Sequence, residues 1–215
     1  MHIEPGIIAQ AKVMVANIGA AGVLLTYAKD LIKNPADIVR MLVAAVFFSL
    51  FMQAFHVQAG PSELHFVGAM VIYLTLGFVP TLIGFAVGLL LQGVLFDPMD
   101  LQHLAVNSLS LIVPLIAVHY TLGRKLREQG NVITWKNIVK LDAMYYSGVT
   151  VMVGFWLAMS NVATSFSAWA AFASSYLVLV ACEPLLTYAA LRLLKRHEGS
   201  KIVDICFAVK PLKLA

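Results

Sequence analysis

All but one of the fifteen lysines and arginines fall into three groups, and that arrangement limits the folds open to this chain more than any motif does. Lys29, Lys33 and Arg40 form the first group. Arg124, Lys125, Arg127, Lys136 and Lys140 form the second, and Arg192, Lys195, Arg196, Lys201, Lys210 and Lys213 the third. Around them run apolar segments at about 7–27, 38–55, 66–79, 81–96, 103–122, 140–160 and 167–194, and the loops at 56–65, 97–102 and 161–166 hold no Lys or Arg. A bilayer-crossing helix needs about 20 mostly apolar residues, and basic loops stay on the cytoplasmic side. A count of seven spans with the N-terminus outside puts every basic group on one face. Six or eight would split the groups unless an element re-entered. The pattern therefore predicts an all-α integral membrane protein, a bundle of about seven transmembrane helices with the N-terminus outside and the C-terminus cytoplasmic. Residues 1–196 are predicted to form a single transmembrane domain and 197–215 a cytoplasmic C-terminal tail, the whole being multi-pass in the cell's inner (plasma) membrane.

Composition agrees. The chain is 60% hydrophobic and 12% charged, with a mean hydropathy of +0.86, whereas a soluble domain is about 45–50% apolar and about 25% charged. A water-soluble enzyme, a disordered tail and a DNA-binding domain are excluded. The net charge of +4 is a topology signal and needs no nucleic-acid partner. The third and fourth segments are short for full spans and are separated at Phe78-Val79-Pro80, where proline disfavours helix continuation. They are expected to form a tight helical hairpin or partly re-entrant helices. The opening residues lack a basic stretch and carry Lys12 where a signal peptide is apolar, so no cleavage is expected.

Charges inside apolar segments usually face the bundle interior or each other. Lys12 and Glu183 are expected to pair, with an ion-release path as the alternative; Asp142 lies at the edge of its segment. Glu183-Pro184 marks a kink. Cys182 and Cys206 are too sparse for a disulfide framework, and Cys182 reads as a small buried hydrophobe. Met14 and Met99 read as packing residues, and His119 and His197 as surface or interface residues on the cytoplasmic side. Ala16-x-x-x-Ala20 and Gly19-x-x-Gly22 allow close approach of another helix.

The outer face collects the chemistry. Met1 with its amine, His2, Glu4, His56, Glu63, His65, Asp97, Asp100 and His103 all fall there, in loops without competing cations. Nitrogen and oxygen donors of this kind suit a divalent transition metal, although outer loops are also polar simply because water is there. A His at position two offers the terminal amine, the His2 amide and the His2 ring to one ion, and a fourth donor completes a square plane, the geometry of Ni(II) or Cu(II), with Co(II) close in affinity. His65 is the most plausible fourth donor, three residues before Gly68; a structural histidine at the membrane interface is the alternative. His56 and His103 are weaker candidates, because each ends or begins a span. Glu63 would supply an oxygen ligand or orient a ring nitrogen.

Four stretches, Met1-His2-Ile3 with Gly6, His65-x-x-Gly68, Gln92-x-x-Leu95-Phe96 and Asn107, together resemble the cobalt/nickel substrate-binding membrane component of energy-coupling-factor ABC transporters. The motifs span roughly residues 1–120, and the segment layout extends the resemblance to the whole chain. It implies that the Met1 amine, the His2 amide and ring, and the His65 ring bind Ni2+ or Co2+ as transported substrate, with Asn107 behind them. It also implies a transmembrane coupling subunit and a cytoplasmic ATPase pair as partners, and docking of the coupling subunit on Ala16 and Ala20. The chain departs from the family pattern in having Glu4 before Pro5 and Gly6, Glu63-Leu64 before the histidine, and Asp97-Pro98-Met99-Asp100 in place of a glycine-rich turn. No Walker motif, nucleophile elbow, HExxH or CxxC pair is present, so ATP hydrolysis is left to partners. The competing readings are an integral-membrane metalloenzyme with an outer-face His/carboxylate site and a pH-responsive assembly or sensor protein.

Overall fold

The computed structural model describes residues 6, 8–59, 62–160 and 165–215, except for the side chains of 56–59, 62 and 63. Among the described residues, five helical stretches are long and apolar enough to cross a membrane: α1 (Gln10–Lys33), α2 (Pro35–Ala54), α4 (Phe78–Leu95), a run from Pro98 to Glu128 containing α5 (Leu104–Tyr120) and α6 (Leu122–Glu128), and α8 (Phe166–Arg196). The helix α7 (Trp135–Ala158) has 24 residues, enough for a crossing by length, but its first turns carry Lys136, Lys140 and Asp142. Local chemistry starts these helices where they start. Asn34 accepts the Ala36 amide ahead of Pro35, Thr134 the Asn137 amide and Ser165 the Ala168 amide, each satisfying an N–H that has no partner within its helix.

Large apolar side chains point outward: Val15, Ile18, Leu25 and Ile32 on α1, Leu42 and Leu50 on α2, Leu177 and Leu185 on α8. On a water-soluble protein such faces would be an aggregation hazard; here they are the lipid-facing surface. Cys182 is exposed among them, contrary to the expectation of a buried hydrophobe, because it falls on the outer side of α8 while its neighbour Glu183 faces inward.

The tightest helix pair is α2 with α4. A Cβ at Gly84 would lie 2.6 Å from Ala44 Cβ, and one at Gly88 would lie 3.0 Å from the Ala45 carbonyl oxygen. This is the close backbone approach that small residues four apart permit. It brings buried polar groups into direct contact: Ser49 Oγ donates to Gly88 O at 3.0 Å, and Gln92 Nε2 donates to Ser49 O at 2.5 Å.

Segment 66–79 does not form a span of its own. It contains α3 (Ala69–Leu76), eight residues and about 12 Å long. The chain breaks at Gly77, whose φ of 94° and ψ of 169° suit glycine alone. The expected turn at 78–80 is thus displaced, and Pro80 lies in the first turn of α4, where its missing N–H costs nothing. Before α3 the expected loop at 56–65 forms an antiparallel hairpin, β1 (His56–Ala59) with β2 (Ser62–His65), His56 opposite His65.

The C-terminal segment is built into the bundle. The Ala208 amide donates to Thr75 O at 2.7 Å, at the far end of α3. Arg40 donates to the carbonyls of Asp204 and Phe207 at the C-terminal end of α9 (Lys201–Cys206). The two-residue strands β3 (Val132–Ile133) and β4 (Lys213–Leu214) pair in parallel, and Val203, Val209 and Leu212 join the main core. The basic groups of the sequence thereby gather at one end of the molecule.

Lys12 and Glu183 do not pair. The Lys12 ammonium donates to Met159 O at 2.5 Å, at the end of α7, whereas Glu183 accepts from Met70 N and from Tyr146 Oη deep in the bundle. His119 is an interface residue: its ring stacks on Phe78 at 3.7 Å between centroids and lies 3.1 Å from Tyr73 Oη.

Candidate metal centre

His65 closes the hairpin at the end opposite the basic groups and is 6% exposed. Its Nδ1 lies 3.2 Å from the Met52 carbonyl oxygen in the last turn of α2. A carbonyl only accepts, so the bond requires Nδ1–H, and a neutral ring then carries its lone pair on Nε2. Metal-binding histidines are oriented in this way, with one ring nitrogen held by a backbone carbonyl and the other directed to the ion.

The backbone around the ring is fixed on both sides. The Phe66 amide donates to Phe55 O at 3.1 Å, and the Ile72 amide to Gly68 O at 3.0 Å. Gly68 has φ 63°, and a Cβ there would lie 2.4 Å from Cδ2 of Phe51. Glycine is required both for the left-handed turn and for the aromatic ring packed on it.

Met1 and His2, the other donors expected from the sequence, lie outside the described residues, as does Glu4. Gly6 and Ile8 lie at the same end of the bundle. Ile8 is buried with Ala105, Val106, Leu109 and Trp156, and Gly6 and Val13 line a cavity of about 530 Å3 with Asn17 and His103. His103 and Asn107 are four residues apart across the start of α5 and almost fully buried; like His65, each has an interaction partner. The structure thus brings the start of α1 to His103 at the mouth of α5. The hairpin backbone sets His56 opposite His65 and Glu63 opposite Gln58, while the side chains of His56 and Glu63 lie outside the described residues. Among the described residues no three His, Cys, Asp or Glu side chains gather as a metal site.

Ala16 and Ala20 are buried against Ala105, Val106 and Leu109 of α5. The close approach their size allows is used inside this chain. Two features escaped sequence reasoning. One is Gln92, visible only as part of a motif, whose amide ties α4 to α2 just below the Met52 turn; the signal was the Gly84-x-x-x-Gly88 stripe preceding it. The other is the link between Glu183 and α3, which no local pattern announces.

Residues 2–200 match the family described as CbiM, cobalt uptake substrate-specific transmembrane region. Among functionally curated proteins nothing matches. The crystal structure of a transition metal transporter superposes with a TM-score of 0.74 at 18% identity, covering 94% of this chain and 96% of its own. A truncated transition metal transporter gives a TM-score of 0.74 at 19% identity over 92% of this chain and 99% of its own. At these identities the two structures speak for the fold, an all-α membrane bundle.

Proposed function

The chain belongs to the CbiM family, the cobalt uptake substrate-specific transmembrane region, and from that premise we propose that it captures Co2+ or Ni2+ at the outer end of its bundle for an energy-coupling-factor importer. In this reading the terminal amine of Met1, the amide and ring of His2 and the Nε2 of His65 hold the ion. A transmembrane coupling subunit and a pair of cytoplasmic ATPases supply the energy, and the basic end faces the cytoplasm across the inner membrane. Asn107 and His103 stand behind the ligands.

The observation that carries this reading is the His65 ring, buried at the non-basic end and anchored through Nδ1 to Met52 O. A histidine with a purely interfacial role has no need of an oriented lone pair. Support also comes from the burial of Ile8 and the cavity at Gly6 and His103, which lie at the same end. The neutral His65 ring offers its Nε2 lone pair directly, whereas a protonated terminal amine gives up its proton to bind a metal ion, so capture releases protons.

Titration calorimetry on the purified protein in detergent tests it. Placing one extra residue before Met1, or replacing His65→Ala, is expected to weaken Co2+ and Ni2+ binding by more than about 100-fold, beyond the about 10–100-fold lost with a supporting partner alone. Binding retained by both variants would refute the assignment.

A further inference from the structure

The helix α3 starts without a cap of its own. Its N-cap is Gly68, no side chain of the segment caps it, and its first turn holds no acidic residue. An eight-residue helix is too short to be stable alone, and the first N–H groups of any helix need outside acceptors. The acceptor comes from α8: the Met70 amide donates to Glu183 Oε1 at 2.7 Å, and the Val71 amide faces the same carboxyl. Tyr146 of α7 donates its hydroxyl to Oε2. Glu183 itself is fully buried.

The surroundings mark this carboxyl as more than a packing element. Asp142 faces it from α7, within reach of its carboxyl, and is equally buried. A buried acid in a membrane bundle is costly; negative charge is favoured where donors and a helix N-terminus converge, and here they converge on Glu183. Four residues lie between His65 and the capped amide of Met70, the Gly68 turn among them. The same helix α8 also packs against both hairpin strands.

We propose that Glu183 is a positioning residue of the metal site: by capping α3 it fixes the Gly68 turn and, through it, the depth and facing of the His65 ring. The proposal rests on the reading of His65 as a ligand. Tyr146 acts with it by holding the second carboxylate oxygen, so that the first stays on the Met70 amide.

The test is the visible absorption spectrum and the Kd of Co2+ bound to the full chain in detergent. Glu183→Leu keeps the bulk and deletes the cap; it is expected to raise the Kd by at least about tenfold and to shift the Co2+ bands. Glu183→Gln keeps an acceptor for the Met70 amide and is expected to bind within about threefold of the parent with the parent spectrum. Leu191→Ala, a buried residue further along α8, serves as the structural control: it lowers the melting temperature and leaves the spectrum unchanged. If Glu183→Leu does not fold, Tyr146→Phe decides, since it removes only the hydroxyl; a raised Kd with shifted bands upholds the role. Parent-like Kd and spectrum in Glu183→Leu, or in Tyr146→Phe where that variant decides, overturn it. With His65→Ala run alongside, the two failures separate. If that variant binds like the parent, the site reading falls and the positioning role with it. If it loses binding while the Glu183 and Tyr146 variants do not, only the positioning role falls.

Discussion

At Gly68 a single hydrogen atom in place of a side chain decides how the chain enters α3. The backbone sits at φ 63°, and the Phe51 ring fills the space a Cβ would take. Gly68→Ala is expected to cost about 1–2 kcal/mol from the left-handed backbone alone, with the aromatic contact adding to it. A thermal melt in detergent should show a lower transition, and Co2+ binding should weaken because the same turn carries His65. A variant as stable as the parent would mean that the Phe51 ring yields and the turn is not limiting. Sequence reasoning reached this residue, since a glycine three places after a candidate ligand suggests close backbone approach. The tautomer of His65 was beyond it: the Met52 carbonyl that selects Nδ1–H belongs to another helix, and nothing in the spacing of residues 52 and 65 says that they meet.

Among the elements, α2 and α4 pack closely enough for their backbones to touch. Gly88→Leu puts a branched side chain where Phe48 Cδ1 is already 2.5 Å from the position of a Cβ. Overpacking of this kind costs about 1–3 kcal/mol. Pushing the helices apart also breaks the bonds from Ser49 to Gly88 and from Gln92 to Ser49, and moves the Met52 turn that orients His65. The variant is expected to melt earlier and to bind Co2+ more weakly. Parent-like values for both would show that α2 and α4 are not held at contact distance. The long helices were legible because twenty apolar residues have few alternatives in a bilayer. The short α3 was not: hydropathy cannot distinguish eight helical residues, a glycine break and a preceding extended stretch from one weak span. The hairpin at 56–65 was equally hidden, since its pairing is set by backbone bonds between two four-residue strands.

For the molecule as a whole, the C-terminal segment is structural. Deleting residues 201–215 would remove the buried Val203, Val209 and Leu212, the Ala208 bond to Thr75 and the acceptors of Arg40. Each fully buried Val or Leu contributes about 1.5–3 kcal/mol, so the truncated chain is expected to purify as a polydisperse or aggregated sample on size exclusion, with a markedly lower melting temperature. An unchanged elution profile and melt would show that the segment is a free tail. The sequence marks residues 197–215 only as a cytoplasmic tail; that Lys213 and Leu214 pair with Val132 and Ile133 depends on where the loop after α6 arrives.

What the amino-acid order determined without help is the solvent of this protein and its division into a basic and a non-basic end. Both follow from the free energy of moving each side chain between water and hydrocarbon, a quantity that adds up residue by residue and needs no partner. Tertiary structure alone decided which buried polar groups meet: His65 with Met52, Glu183 with the first turn of α3, the last residues with the end of that same helix. Hydrogen bonds are short and directional, so they exist only once segments distant in the chain have been brought within 3 Å or so of each other, and no property of either residue taken singly contains that distance.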